Sequence, residues 1–398
     1  MSATHEERMA RLALSCVVEP GDLQLAQLLE TYCVEEIWER LRQDGPPGAW
    51  RNRAHALNLE HVTQQAQKAA ARFVIPGDAQ WPAALGDLAA ADPVRDWGGT
   101  PLGLWVKGNG ALGPMTRDAV SVVGARAASP YGERVAAELA GAAAERGCCV
   151  VSGAAYGIDA AAHRGALASQ GSTVAVVAGG VDEAYPRAHR RLLDDIAESG
   201  CIVSEVRVGE HPTRRRFLVR NRLIAALSAG TVIVEASLRS GARNTASWAT
   251  ACGRVVMAVP GPVTSATSVT PHRLIREGEA TLVTCIDDVL ELIHPLGEVM
   301  PQRERRGRLL DSLSDQAKAV FEALPLRGGR DAGEISLRAG MPLPEVMAAL
   351  VGLADAGWAR PLSDGRWGLG PTSDRPVAEA DTASYPESGR SLGEQAGF

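Results

Sequence analysis

The segment from residue 119 to 294 constrains the fold most, because short apolar, β-branched runs alternate there with alanine-rich stretches of helical composition. The apolar runs are AVSVVG, CCVVSG, TVAVVAG, CIVSEV, GTVIVEA, VVMAVP and ATLV. Strands that are apolar on both faces and separated by single helices are typical of a parallel sheet covered by helices on both sides. We therefore predict an α/β fold with an extended Rossmann-like, doubly wound parallel sheet, whose ligands bind beyond the carboxyl ends of the strands.

Composition divides the chain into five segments. Apolar side chains at helical spacing predict a small helical N-terminal domain at residues 1–72, followed by the Rossmann-like core at 73–296. A charged linker at 297–313 precedes residues 314–370, where three helical stretches and a hairpin follow in the order of a winged-helix-like domain. The polar, Pro- and Ser-rich tail at 371–398 is predicted to be disordered.

Net charge and cysteine content exclude several classes of protein. The formal net charge is -6, so a nucleic-acid site must be a local basic patch rather than a basic surface overall. The seven cysteines are odd in number and form no CxxC pair, and there is no GxxxxGK[ST] sequence, so neither a metal site nor ATP hydrolysis is indicated. Without a signal peptide or an apolar run of about 18 residues, we predict a cytoplasmic protein that does not bind membranes, with no cofactor and no catalytic residues.

The turns that follow the predicted strands contain glycine, small polar residues and arginine. Backbone N–H groups and the helix dipole at such turns attract anions, and an arginine beside them adds a bidentate phosphate contact. A salt bridge to a neighbouring carboxylate is the alternative for such an arginine. The residues that we expect at this interface are Gly124, Arg126 and Ser129 in the first turn, Gly153 and Gly157 in the second, Gly179, Gly180 and Arg187 in the third, and Ser240, Gly241 and Thr245 after the fifth strand.

The sequence HPTRRRFLVRNRLIAAL concentrates five arginines within nine residues of an acidic protein. Five arginines can neutralise up to about five phosphates and make binding strongly dependent on salt. An aromatic residue among them can stack on a base, although packing in the core explains that residue equally well. A solvated helix face is the alternative for the arginines. The predicted DNA contacts in this segment are Arg214, Arg215, Arg216, Phe217, Arg220, Asn221 and Arg222.

Asp159 and His163 lie four residues apart, on one face of a predicted helix. They are either an acid–base pair, with Asp159 as a possible sugar ligand, or a helix cap with a mutual hydrogen bond. No nucleophile lies beside them in the sequence, so the structural interpretation is favoured.

The same strings resemble the DNA-processing protein A family (DprA, also called Smf): SVVGARAASPYG, SGAAYGIDAAAH, AGGVDEAYPRAH, FLVRNRLIAALS, SGARNTA and a VPG. The resemblance implies single-stranded DNA binding, loading of the RecA recombinase, a homodimer and a role in natural transformation. It implies a phosphate contact for Arg126, which stands in the family's Gly-x-Arg, and a basic contact for Arg187 after Tyr-Pro. Arg220, Asn221 and Arg222 match the Arg-Asn-Arg motif, and Gly153, Gly157, Asp159 and His163 match the SGxAxGID…AH loop.

This sequence also departs from the family pattern. Thr270 and His272 stand where the family usually has Gly and Asn, and Gly278-Glu279 replaces Gly-Ala. The N-terminal segment lacks the Gly-x-Gly of a helix-hairpin-helix unit, and the helix expected to read DNA in the winged-helix-like domain is acidic. The alternative function is a nucleotide-binding enzyme of the phosphoribohydrolase-like Rossmann type, although EASLRSGARNT lacks the PGGxGT signature of those enzymes.

Overall fold

The computed structural model describes residues 3–43, 48–238, 240–294, 313–325 and 328–370 of the chain. Two compact units form, Met1–Leu296 and Gly297–Phe398. The predicted tail, and the predicted linker apart from Leu313, lie outside the described residues.

The N-terminal region is helical, as predicted. Two of its helices have side-chain N-caps. The Thr4 side chain accepts a hydrogen bond from Glu7 N, and the Asp22 side chain accepts one from Gln24 N. Leu14, Val17 and Ile37 pack into an apolar cluster that also takes in Leu102 from beyond the helices. The described helices here are α1 (His5–Val17), α2 (Leu23–Leu29), α3 (Val34–Arg42), α4 (Ala49–Ala56) and α5 (Leu59–Lys68).

Every apolar run named above forms a strand of one central sheet. Nine strands of the described chain join in the order β1-β2-β6-β5-β4-β3-β7-β8-β9, in which β3 to β9 are parallel and β1 and β2 are antiparallel. The mostly parallel α/β sheet is therefore confirmed. The strands are β1 (Ala71–Val74), β2 (Leu104–Lys107), β3 (Ala119–Val123), β4 (Cys149–Ser152), β5 (Thr173–Val176), β6 (Cys201–Ser204), β7 (Gly230–Ile233), β8 (Val255–Ala258) and β9 (Thr281–Leu282).

The strand order reverses at β3, because β4, β5 and β6 extend the sheet to one side and β7, β8 and β9 to the other. Ligands of such sheets bind in the crevice at this reversal, beyond the carboxyl ends of the strands. Most helices that follow a parallel strand begin at that edge. The helices of the core are α6 (Leu112–Met115), α7 (Pro130–Glu145), α8 (Ile158–Ala168), α9 (Arg190–Ser199), α10 (Arg214–Ala226), α11 (Ala242–Ala251), α12 (Val269–Arg276) and α13 (Ile286–Ile293).

The N-terminal helices and the sheet belong to the same compact unit. Arg8 of α1 donates hydrogen bonds to the Phe73 carbonyl at 3.1 Å and to Asp78 Oδ2 at 2.9 Å. Arg216 of α10 forms an ion pair with Glu19 at 2.9 Å. The N-terminal helices therefore pack onto the core through both polar and apolar contacts, and the domain boundary at residue 72 stays a prediction.

The second unit contains three helices and a two-stranded antiparallel sheet in its described residues: α14 (Asp315–Ala323), α15 (Ala332–Ala339), α16 (Leu343–Asp355), β10 (Ala359–Pro361) and β11 (Trp367–Leu369). This is the predicted order of elements, and the winged-helix assignment stays a prediction. In the part of the chain that the structure describes, no single helix has the length and apolar character needed to cross a membrane, although α15 and α16 pass that test together across a 105° bend.

Candidate nucleic-acid interface

The turn between β3 and α7 holds Arg126 at the carboxyl edge of the sheet. Ala125 N donates to the Glu235 carbonyl at 2.6 Å, and the Ala125 carbonyl accepts from Ile158 N at 3.2 Å. These bonds fix the turn to the end of β7 on one side and to the start of α8 on the other. The Arg126 side chain is left exposed at the crevice, where the sequence predicted a phosphate contact.

Phe217 is the centre of a cluster in which aromatic rings and guanidinium groups meet. The guanidinium carbon of Arg126 lies 4.8 Å from the centroid of the Phe217 ring, and that of Arg220 lies 5.9 Å away. The ring of Tyr185 lies 5.4 Å from the same centroid. Such distances allow cation–π attraction. We call Arg126, Tyr185, Phe217 and Arg220 the Phe217 cluster.

Arg220 lies beneath the surface of this cluster. It is 7% exposed, and its Nη1 donates to the carbonyls of Gly153, at 3.0 Å, and of Val176. Burial and the nearby charge of Arg126 lower the pKa of Arg220 to about 10, against the opposing effect of Asp159. Within the described ranges, neither Arg126 nor Arg220 has a carboxylate within ion-pair distance. The cluster therefore holds two guanidinium groups without a salt bridge among the described residues, and the buried Asp159 interacts electrostatically with both of them.

The glycines of the turns make room for the protein's own atoms. A β-carbon at Gly153 would lie 2.6 Å from Arg220 Nη2, so glycine is required where the buried guanidinium passes. Gly157 has φ of 74°, and a β-carbon there would lie 2.3 Å from the Ala125 carbonyl oxygen. Close internal packing therefore accounts for glycine at both positions, and a contact of these residues with DNA stays a prediction. A β-carbon at Gly124, Gly179 or Gly180 would also lie within 3 Å of protein atoms.

The helix N-terminus after β3 is occupied by a carboxylate of the protein. Glu235, which is 1% exposed, accepts hydrogen bonds from Ser129 N at 2.8 Å, from Ser129 Oγ at 2.7 Å and from Thr267 Oγ1 at 2.9 Å. An anion already sits where a phosphate would bind. The prediction that Ser129 contacts DNA is therefore corrected, because its donors are directed at Glu235.

Two of the predicted arginines are held by carboxylates instead. Arg222 is 1% exposed and donates to Glu205 at 2.5 Å and to the Gly99 carbonyl at 2.7 Å. Arg216 lies between Glu19 and Glu210, at 2.9 and 3.2 Å. These two residues join α10 to the surrounding elements, and the prediction that they contact phosphate is corrected.

The remaining predicted residues fall into an exposed set and a buried set. Asn221 is buried and donates to Asn244 Oδ1 at 3.1 Å, which joins α10 to α11. Ser240 Oγ accepts from Ala242 N at 3.2 Å, and Thr245 is 2% exposed. Among the predicted residues after β7, Thr245 is therefore buried, Ser240 is partly buried and Gly241 is exposed. The exposed arginines are Arg187, Arg214 and Arg215.

Asp159 and His163 do not pair with each other as the structural interpretation expected. Asp159 Oδ2 accepts from Ala155 N at 3.4 Å, and His163 Nδ1 lies 2.7 Å from Thr173 Oγ1. Burial lowers the pKa of His163 to about 3, so the ring stays neutral at pH 7. Both side chains are buried: Asp159 contacts the backbone of the turn, and His163 joins α8 to the start of β5.

Exposed tyrosines at this edge were not among the predicted contacts. Tyr185 and Tyr156 are each 49% exposed. Tyr185 follows the third turn, and Tyr156 lies between Gly153 and Gly157 in the second. Selecting turn residues for glycine and arginine alone overlooked them. Their position beside glycines at the ends of predicted strands was the signal that would have found them.

The comparisons with known proteins agree with the family resemblance. The family model for DNA recombination-mediator protein A matches residues 72–294. A protein of Mycobacterium tuberculosis named as a DNA processing protein DprA is 45% identical over 364 residues, which cover 89% of this chain and 92% of that protein. The DNA processing protein DprA of Streptococcus pneumoniae is 36% identical over 244 residues, or 61% of this chain and 81% of that one.

The structure of DNA processing protein A from Streptococcus pneumoniae superimposes with a TM-score of 0.61 and 32% sequence identity, covering 74% of this chain and all of that one. The sequence matches and the structural match agree with each other, because both cover more of the chain than the parallel sheet. This chain belongs to the DNA recombination-mediator protein A family.

Proposed function

We propose that this protein binds single-stranded DNA at the carboxyl edge of its sheet and loads the RecA recombinase onto it during natural transformation. The observation that carries the proposal is the Phe217 cluster, in which two guanidinium groups lie near one aromatic ring and form no salt bridge within the described chain. Membership in a family of recombination mediators supports it. We further propose that the protein acts in the cytoplasm as a homodimer.

The chemistry of the cluster suits a single strand better than a duplex. Guanidinium groups bind phosphate through paired N–H donors, and Arg187, Arg214 and Arg215 add exposed positive charge near the same edge. Phe217 and Tyr185 offer ring surface on which unpaired bases can stack. In a duplex, the base faces are already stacked on one another, so only the phosphate contacts would remain.

The test is a titration of a labelled oligodeoxythymidine and of a labelled duplex, followed by fluorescence anisotropy at two salt concentrations. We expect tighter binding of the single strand and an affinity that falls steeply with salt. Arg126→Ala should weaken binding of all sequences and lower the salt slope by about one. Arg117→Ala is the matched control, because Arg117 is an exposed arginine just before β3, at the opposite edge of the sheet. Equal effects of the two variants would refute the proposed site.

The proposals about partners need separate measurements. RecA loading predicts that this protein accelerates RecA-dependent strand exchange on DNA that is covered by a single-strand-binding protein, and that Arg126→Ala removes most of the acceleration. The homodimer predicts a mass of about twice the monomer mass in sedimentation equilibrium at micromolar concentration. No acceleration, or a monomer at all concentrations, would refute the respective proposal and leave DNA binding standing.

We propose a binding function rather than an enzymatic one. The phosphoribohydrolase-like alternative requires a carboxylate that is available to a substrate, and Glu235 instead accepts three hydrogen bonds within the protein. The test is release of free base from nucleoside monophosphates. Release that depends on Glu235 would restore the enzymatic alternative.

A further inference from the structure

Tyr156 occupies an exposed position that none of the contacts above explains. It lies in the turn from β4 to α8 and is 49% exposed. Its ring makes an edge contact with His189, with centroids 4.8 Å apart and planes at 67°. In the described part of the chain, its hydroxyl has no hydrogen-bond partner. Single exposed apolar groups are common on protein surfaces, so the position alone decides nothing.

The backbone around Tyr156 is fixed in place. Ala154 has φ of 53°, and its carbonyl accepts a hydrogen bond from Nδ1 of the buried His189 at 3.0 Å. Gly157 packs against the carbonyl of Ala125, with which Ile158 N forms a hydrogen bond of 3.2 Å. The turn is therefore held at both ends, and one of these ends contacts the segment that carries Arg126. A half-exposed ring is thus presented on a fixed backbone, in a turn whose backbone contacts the turn of the exposed Arg126.

We propose that Tyr156 is a second base-stacking residue of the interface, which receives a base adjacent to the one held at the Phe217 cluster. This inference rests on the proposed function. Arg126 links the two aromatic positions, because the backbone of its turn contacts the Tyr156 loop and its guanidinium lies over the Phe217 ring. When Arg126 binds a phosphate, the two neighbouring bases can thus each stack on one ring, that of Tyr156 or that of Phe217.

Stacking on a neutral ring has a different signature from an ionic contact. It releases no counterions, so it changes affinity without changing the salt slope. Loss of one base–aromatic stack weakens single-strand binding by about 5-fold or more, and a half-exposed ring belongs at the lower end, at about 5- to 10-fold. The loss should also vanish when the DNA has no bases to stack.

The experiment compares Tyr156→Leu, which keeps the apolar bulk but not the ring, with Tyr156→Phe, which keeps the ring. The matched control is Tyr32→Leu, because Tyr32 is a tyrosine of the N-terminal helices, under the guanidinium of Arg40. Each full-length variant is titrated with labelled oligodeoxythymidine, and with an abasic strand of equal length, at two salt concentrations. We expect Tyr156→Leu to bind oligodeoxythymidine about 5- to 10-fold more weakly at an unchanged salt slope. Tyr156→Phe, Tyr32→Leu and all abasic titrations should match the wild type.

Several results would overturn the inference. Binding of oligodeoxythymidine by Tyr156→Leu with wild-type affinity would overturn it. So would weaker binding by Tyr156→Leu that is also seen on the abasic strand, or equally weakened binding by Tyr156→Phe. Each of these results would show that the ring does not stack on a base. If Arg126→Ala still weakens binding in the same series, the proposed function survives that failure. Absence of any single-strand binding by the wild type would refute both proposals.

Discussion

Replacing Arg222 tests most directly whether the buried, salt-bridged arginines stabilise the fold while other arginines serve the proposed DNA binding. Its guanidinium is buried against Glu205 and the Gly99 carbonyl, and the side chains of the ion pair are 1% and 8% exposed. Arg222→Met keeps the length of the side chain but leaves a buried carboxylate without its counterion. Removal of one partner from a buried pair costs about 3–5 kcal/mol, a large part of the roughly 5–15 kcal/mol that stabilises a folded domain. We therefore expect the free energy of unfolding to fall by about 3–5 kcal/mol.

The assay is urea-induced unfolding followed by far-UV circular dichroism. The double variant Arg222→Met/Glu205→Leu should recover most of the lost stability, because an apolar pair often replaces a buried ion pair at little cost. That folded double variant should also bind oligodeoxythymidine with the affinity and salt slope of the wild type. Arg126→Ala is the complementary control, since it should keep the stability and lose about one unit of slope.

Two outcomes would refute this reasoning. If Arg222→Met unfolds at the same urea concentration as the wild type, the buried pair contributes no stability. If the double variant is fully folded but loses affinity together with about one unit of salt slope, Arg222 contacts phosphate in the complex, and the assignment from the free structure is wrong.

Three further predictions concern other parts of the molecule. Glu235→Ala should lower the free energy of unfolding by about 2–4 kcal/mol in thermal denaturation, because buried donors lose a charged acceptor; an unchanged melting temperature would contradict this. Arg216 lowers the pKa of Glu19 below the ordinary value of 4.5, and Arg207, together with Arg216, lowers that of Glu210, so the stabilisation by Arg216 is complete above that pH and is lost below it. Arg216→Met should therefore lose less stability than the wild type between about pH 5 and about pH 3, and an equal loss would argue against the ion pairs. Deletion of residues 297–398 should leave single-strand affinity within about twofold if the interface lies wholly in the first unit, and a larger loss in anisotropy titrations would place contacts in the second.

The parallel sheet was predictable because its strands are buried on both faces. A run such as TVAVVAG has no polar face, so the sequence itself reports a strand covered on both sides. The antiparallel pairing of β1 and β2 was not predictable in the same way. Its partners are separated by about thirty residues, and β2 also pairs with β6, far along the chain. Local sequence carries no information on such pairings.

The arginine-rich segment was interpreted correctly as a helix, but only some of its arginines are exposed. Successive residues of an α-helix are rotated by about 100°, so Arg220 and Arg222 point in nearly opposite directions. In the structure, Arg220 reaches the carbonyls of Gly153 and Val176 at the sheet edge, and Arg222 reaches Glu205. Helical geometry alone therefore ruled out a single trough formed by all five arginines. The identity of the carboxylate partners was not accessible, because it depends on tertiary contacts.

The internal carboxylate at α7 explains why the anion-binding groups lie where they do. In a Rossmann-like sheet, the helix N-terminus after the central strand is the usual place for a phosphate, and here Glu235 fills it with a permanent negative charge. A nucleotide phosphate placed there would meet that charge at hydrogen-bond distance, with no unused donor on Ser129. Affinity for a polyanion must therefore come from side chains that project beyond the turn, which are the exposed arginines and the rings among them. Under the proposed function, such a site contacts several phosphates along a strand and has no enclosed position for one, which suits the proposed transfer of the DNA to a recombinase.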